Sequence, residues 1–258
     1  MQILPLDGAW EFRRGGESHW LAATVPGCNF TDLLAHGRIP DPFVADNEVR
    51  LAWVYESDWE YRRSIEVPPE LLACDRVFLE CDGLDTLATI FVNGRKAGTA
   101  ENMHRPYRYD VKRFLNAGAN QILIRFSSPT RYGRRRRGTE IVHQVNQCLE
   151  GSAYVRKAQC HFGWDWAPQL PPTGIWRSLR LTGRNSARLA DVHLCQRHGD
   201  TPVTLAADIL VERYAELPLT VRLALRGPEG GEAKVEGPLE PGDSRTELSL
   251  RVEAPRLW

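Results

Sequence analysis

The chain has 258 residues, 42% of them hydrophobic, enough to bury the core of one large or two ordinary domains. Lys and Arg number 33 and Asp and Glu number 33, so no global field selects nucleic acid, an anionic membrane or a charged polymer. A neutral partner fits this balance best.

From Met1 the chain enters Leu6-Asp7-Gly8-Ala9-Trp10 with no basic segment, no apolar stretch of signal length and no cleavage site. This predicts a protein that neither carries an ordinary export signal nor spans a membrane. The cysteines, Cys28, Cys74, Cys81, Cys148, Cys160 and Cys195, are scattered, and no two stand at the spacing that clamps zinc. Cys160 and His161 are neighbours, and adjacent side chains seldom chelate one metal, so no metal is expected. Reduced thiols in a cytoplasm are the simplest account.

In chain order, the first helical signal runs from Asn29 to Ala35, with Asn29 or Thr31 as its cap and a stop near Gly37. Alternating runs rich in β-branched and aromatic residues then predict strands at Trp59 to Val67, Arg76 to Cys81, Leu87 to Val92 and Gln121 to Phe126. Asn93-Gly94 joins the third of these to the next polar run and predicts a type I′ hairpin turn. Trp10, Trp53, Trp59 and Trp176 sit in strand-like surroundings and are expected in the core. Asp85 reads as a turn or a buried hydrogen-bond hub. The run Arg134-Arg135-Arg136-Arg137 offers a grip for phosphate, but without a regular basic face it reads better as a solvated loop. Arg156 and Lys157 read as surface charges or as groups that pair with Asp165 and orient it.

Next comes His161-Phe162-Gly163-Trp164-Asp165-Trp166-Ala167-Pro168. Successive side chains on a strand face opposite ways, so two tryptophans and the acid between them cannot all point inward. An indole is a flat apolar plate for the C–H face of a pyranose, and a carboxylate accepts hydrogen bonds from two neighbouring hydroxyls. The competing reading is a hydrophobic corner with Asp165 capping a turn. Many short strands without long helices indicate a mainly β jelly roll or sandwich over roughly the first 185 residues. Leu189 to Cys195, Val203 to Val211, Leu217 to Leu225 and Thr246 to Val252 alternate again and read as an immunoglobulin-type sandwich, too short for a complete one. The chain closes on Pro255-Arg256-Leu257-Trp258, an aromatic end that reads as a cut within a longer protein.

An ordered set of segments carries a resemblance over nearly the whole length. It comprises Leu6 to Phe12, Val25-Pro26-Gly27, Ile39-Pro40-Asp41-Pro42-Phe43 with Asn47-Glu48, Gly83 to Ala88, Val92-Asn93-Gly94, and Asn102-Met103 with Arg105 and Tyr107. It ends with Arg156-Lys157-Ala158-Gln159 leading into the Trp-Asp-Trp segment, and with Thr173 to Arg177. The chain resembles the N-terminal portion of β-mannosidases of glycoside hydrolase family 2. The resemblance implies an all-β chain: a galactose-binding-like jelly roll over 1–185, then an immunoglobulin-like sandwich over 186–258 that is truncated. A (β/α)₈ barrel with two catalytic glutamates would follow Trp258.

The family consists of retaining glycosidases, in which one carboxylic acid protonates the leaving oxygen while a carboxylate attacks the anomeric carbon; carboxylates suffice for this chemistry, so the resemblance implies no cofactor. Both groups would lie outside this chain, so no catalytic residue is assigned and the chain alone is expected to be inactive. Glu48 follows an asparagine, as the family's acid/base glutamate does, but stands in the wrong domain for that role. On the resemblance, Trp164, Asp165 and Trp166 contact a terminal β-mannoside or mannose-containing oligosaccharide: Asp165 binds hydroxyls remote from the scissile bond and the indoles wall the site. Ala167 stands where the family usually has glycine, a departure that would shift the loop if positive φ were needed there. Two other roles compete: a stand-alone carbohydrate-binding module, and an interaction protein pairing with another copy through the exposed edges of an incomplete sandwich.

Overall fold

Short alternating runs punctuated by Gly, Pro and Asn become strands in the computed structural model, which describes residues 1–137, 142–144, 147–199, 202–227, 230–253 and 255. The chain divides into two units, Met1–Gly183 and Arg184–Trp258. The closing residues 256–258 lie outside the described set.

The first unit begins with β1 (Gln2–Pro5), β2 (Gly8–Arg14), β3 (Leu21–Val25), α1 (Asn29–Ala35), α2 (Asn47–Arg50) and α3 (Ala52–Tyr55). It continues through β4 (Trp59–Val67), α4 (Pro69–Leu72), β5 (Arg76–Cys81), β6 (Leu87–Val92), β7 (Arg95–Ala100), β8 (Tyr107–Asp110) and β9 (Gly118–Ser127). It ends with α5 (Pro129–Arg136), β10 (Phe162–Trp164), β11 (Ala167–Gln169) and β12 (Leu179–Arg184).

Six strands form an antiparallel sheet in the order β3-β2-β4-β9-β6-β7, and four form a second sheet in the order β1-β12-β5-β8. Period-two alternation decides which residues meet between them: Ile122, Ile124 and Phe126 of β9 are buried, as are Val77, Leu79 and Cys81 of β5, all in one apolar cluster. Trp10 and Trp59 lie inside that cluster, whereas Trp53 only packs against it. Trp176 is half-buried and its indole N–H donates to the Met103 carbonyl at 3.3 Å. The result is the jelly-roll sandwich that the alternation predicts.

Local signals act as expected, with three corrections. Asn93 and Gly94 take φ of 49° and 74° in the β6–β7 turn, as a type I′ hairpin requires. The cap of α1 is Cys28, whose N–H is bonded by Thr31 Oγ1 at 3.3 Å; Asn29 is instead buried, its side-chain oxygen accepting from Thr173 N–H at 3.0 Å. A long-range partner has outbid the local cap. Arg134 to Arg136 are helical rather than looped, because Ser128 caps α5 by accepting from Arg131 N–H and Pro129 opens its first turn. Arg134 then pairs with Glu56 and Arg137 with Glu150. Lys157 is not a surface charge: its side chain has no exposed area and pairs with Asp85, which is the buried hub predicted for it.

The second unit comprises β13 (Ala187–Arg197), β14 (Val203–Arg213), β15 (Leu219–Arg226), β16 (Glu232–Leu239) and β17 (Arg245–Val252). β13-β14-β17 and β15-β16 form two sheets around Ala207, Ile209, Val211, Val221, Leu239 and Leu248, an incomplete sandwich. β13 is an edge strand with Leu189, Val192 and Leu194 exposed. Among the described residues no helix is long and apolar enough to cross a membrane, and no three His, Cys, Asp or Glu side chains gather as a metal site.

Candidate functional site

The residues of the Trp-Asp-Trp segment fold as a small hairpin. β10 and β11 pair antiparallel, Phe162 opposite Gln169 and Trp164 opposite Ala167, which leaves Asp165 and Trp166 as a two-residue turn. Phe162 anchors the base, fully buried with Cys148 and Val155. Gly163 sits at φ of 103°, and a β-carbon there would lie 2.5 Å from Gln169 Cγ and 3.0 Å from the Gln147 carbonyl oxygen. Only glycine fits both the backbone angle and the space. Beyond it the side chains emerge: Trp164 is 42% exposed, Trp166 is 73% exposed, and Asp165 between them is exposed as well.

The predicted trio therefore shares one surface. It lines an open depression of about 470 Å³, whose other wall is Pro42, Phe43 and Ala45 from the loop leading into α2 and Glu48 in the first turn of α2. Phe43 is itself 77% exposed, so three aromatic side chains and two carboxylates border one hollow of the size small-molecule sites take. The loop is held from within: Asp41 Oδ1 accepts from Phe43 N–H at 2.9 Å and Asn47 Nδ2 donates to the Asp41 carbonyl at 2.8 Å. Glu48 Oε1 accepts the Gln169 N–H at 2.8 Å, joining the two walls.

Ahead of the hairpin in sequence, Lys157 forms a buried pair with Asp85. Lys157 Nζ donates to Asp85 Oδ2 and, at 3.0 Å, to the Pro172 carbonyl, while Thr86 Oγ1 donates to Asp85 Oδ1. Asp85 also exchanges both backbone hydrogen bonds with Gly174 at 2.9 Å each. Burial pulls the Lys157 ammonium below its ordinary pKa, with the Asp85 charge opposing. His161, at the foot of β10, is held below 6.5 by burial and by the Lys157 charge, and its Nδ1 is buried without a partner among the described residues. The depression is thus bordered by aromatic and carboxylate side chains, and neither Lys157 nor His161 lines it.

The family model described as glycosyl hydrolase 2 galactose-binding domain-like matches residues 10–177. The chain belongs to that family. It is 33% identical over 272 residues to β-mannosidase B of Thermothelomyces thermophilus, a match covering 99% of this chain and 30% of that protein. It is 32% identical over 194 residues to a Bos taurus β-mannosidase, covering 72% of this chain and 22% of the relative. The solved β-D-mannosidase from Dictyoglomus thermophilum superposes with a TM-score of 0.89 at 35% identity, over 100% of this chain and 32% of that one. An exo-chitosanase from Amycolatopsis orientalis shares the fold, with a TM-score of 0.65 at 17% identity over 100% of this chain and 30% of its own. The chain spans about 30% of the length of β-mannosidase B and corresponds to the N-terminal region of such β-mannosidase-like proteins.

Within this glycosyl hydrolase 2 domain, reasoning from sequence found the Trp-Asp-Trp trio but not its second wall. In the sequence Phe43 stands only among the segments that carry the resemblance and Glu48 only as a glutamate excluded from the acid/base role, since nothing local says that they meet a hairpin more than a hundred residues on. Ala45 in that wall takes a φ of 50°, a tight bend that the sequence Pro-Phe-Val-Ala does not announce. Ala167 needs no correction in the backbone: it is extended in β11 and has no positive φ. The residue that needs to be glycine is Gly163.

Proposed function

We propose that the chain forms one wall of the sugar pocket in a retaining exo-β-mannosidase, the two catalytic carboxylates being supplied by a barrel domain outside these residues. The supporting observation is the two-residue turn that presents Asp165 between two exposed indoles, opposite Phe43. Trp164 and Trp166 stack on the sugar ring while Asp165 accepts hydrogen bonds from hydroxyls away from the scissile bond. Contacts of this kind orient the ring and discriminate its stereochemistry without touching the reacting atoms. The described cysteines are unpaired, which favours a reducing compartment such as the cytoplasm.

The test compares the 258-residue chain with the product of the complete reading frame on an aryl β-mannoside. The complete protein turns the substrate over and the chain alone does not. Asp165→Ala in the complete protein removes two charge-assisted hydrogen bonds worth about 1.5–3 kcal/mol each, so kcat/KM falls by roughly 10²–10⁴ while Tm stays put. Turnover by the chain at its own chromatographic peak, or an unchanged kcat/KM in Asp165→Ala, overturns the proposal. Submillimolar mannoside affinity in the chain alone, lost in Asp165→Ala, would instead favour a stand-alone binding module.

A further inference from the structure

A hairpin of three-residue strands has little stability of its own, since isolated two-stranded ribbons are marginal in water. β10 and β11 pair only with each other among the described residues, so the placement of Trp164, Asp165 and Trp166 depends on what grips the outer edges. On the β10 side the grip is local in sequence: Leu149 N–H donates to the Phe162 carbonyl at 2.8 Å and Cys148 Sγ contacts the Gly163 carbonyl at 3.0 Å. On the β11 side, Gln169 is held at two points, its side chain by the Gln147 carbonyl at 2.9 Å and its backbone N–H by Glu48 at 2.8 Å.

From this geometry we propose that Glu48 is a positioning residue, which holds the sugar-facing hairpin through the Gln169 amide and sets the opening between Phe43 and the two tryptophans. The inference rests on the pocket reading above and extends it to a residue that need not touch sugar. Three observations support it. Glu48 is partly buried, and an acceptor that loses water must keep a donor. It stands in the first turn of α2, whose start is tied to the Phe43 loop by the Asn47 to Asp41 bond, so its carboxylate moves with that loop. Gln169 is opposite Phe162, the buried root of the hairpin, so a bond at Gln169 fixes the register of the strand that follows the turn.

The experiment measures amide hydrogen exchange in the full 258-residue chain, with kcat/KM for an aryl β-mannoside in the complete protein, for Glu48→Ala and Glu48→Gln. In Glu48→Ala the Gln169 amide exchanges at least tenfold faster and the Trp164 and Trp166 indole N–H resonances shift, while amides of β4 and β9 are unchanged. Glu48→Gln keeps a carbonyl oxygen in place, holds Gln169 within threefold of wild type and recovers most of the kcat/KM that Glu48→Ala loses. Protection of Gln169 within threefold of wild type in Glu48→Ala overturns the proposal. So does equal loosening of β4 and β9, which would mark a global effect, or a loosened hairpin with full turnover in a protein where Asp165→Ala abolishes it. If Asp165→Ala also leaves turnover intact, the pocket reading has failed, and the Gln169 exchange alone decides whether Glu48 holds the hairpin.

Discussion

Replacing Lys157 by Met removes an ammonium whose side chain has no exposed area, opposite a carboxylate that is 3% exposed. The apolar side chain fills much of the same volume but strands two acceptors, Asp85 Oδ2 and the Pro172 carbonyl. Removing one partner of a buried ion pair costs about 3–5 kcal/mol, because the remaining charge has neither water nor a counterion. In a unit of this size each kcal/mol moves Tm by roughly 2–4 °C, so the first-unit transition falls by roughly 6–20 °C. Differential scanning calorimetry of the chain reads this directly. The double variant Asp85→Asn/Lys157→Met recovers a large part of the loss, because no unpaired charge remains. The pH dependence carries a further mark. The native pKa of Lys157 lies below 10.5, so between the two values the unfolded chain binds more protons, and stability rises with pH through that window. Lys157→Met lacks that rise. A Tm loss under about 2 °C in the single variant, or a double variant no better than the single, would refute the reasoning.

Three other outcomes follow from the same geometry. Gly163→Ala forces a side chain into positive φ and against Gln169 and Gln147, costing about 1–3 kcal/mol, read as lost amide protection confined to the hairpin; normal protection would contradict the assigned backbone. Ala167→Gly gains nothing, since Ala167 is extended, and loses about 0.5–1 kcal/mol of strand stability; a higher Tm would show that the site wants positive φ after all. His161→Phe flattens the acid limb of stability: native His161 titrates below 6.5, so the wild type loses stability as pH falls through that native value, and a variant with an identical profile from pH 8 to 5 would remove burial of His161 as the cause.

Strands rich in apolar and β-branched residues were legible because that pattern is local: Trp59–Val67, Arg76–Cys81 and Leu87–Val92 have the bounds the sequence predicts, whereas β1, β2, β3, β8 and β12, shorter or more polar, were not predicted. β16 escaped notice because Gly237 and Pro238 punctuate it as though it were a turn. Lys157 and Asn29 were misread because a distant partner decided their place. Lys157 is buried because Asp85, 72 positions earlier, receives it, and Asn29 leaves its helix cap for a backbone amide 144 positions away. The arginine run reads as loop by composition, yet cations at a helix C-terminus oppose the negative end of the dipole, and α5 accommodates Arg134 to Arg136 there. At the candidate site the pattern showed that the trio could not all be buried, which the exposed indoles bear out. The wall that faces it was invisible, since the contact from Glu48 to Gln169 spans 121 positions.

Two long-range polar contacts flank the hairpin in sequence, Lys157 with Asp85 before it and Glu48 with Gln169 at its end, where apolar contacts would stabilise at least as well. A buried pair seldom gains more than a hydrophobic one of the same volume, so its value lies in direction. An apolar contact near Lys157 would tolerate a slide of the 155–161 segment, and a slide of one residue in a strand turns every side chain to the opposite face. Trp164 would then face inward, and the glycine that the bend at 163 requires would be displaced from it. The Lys157 ammonium accepts only the position that serves both Asp85 and the Pro172 carbonyl, and the Glu48 carboxylate only the one that meets the Gln169 amide. Two directional bonds, at Lys157 before β10 and at Gln169 closing β11, hold the register of the eleven residues between them. That register puts Asp165 at the tip of the turn, exposed between two indoles.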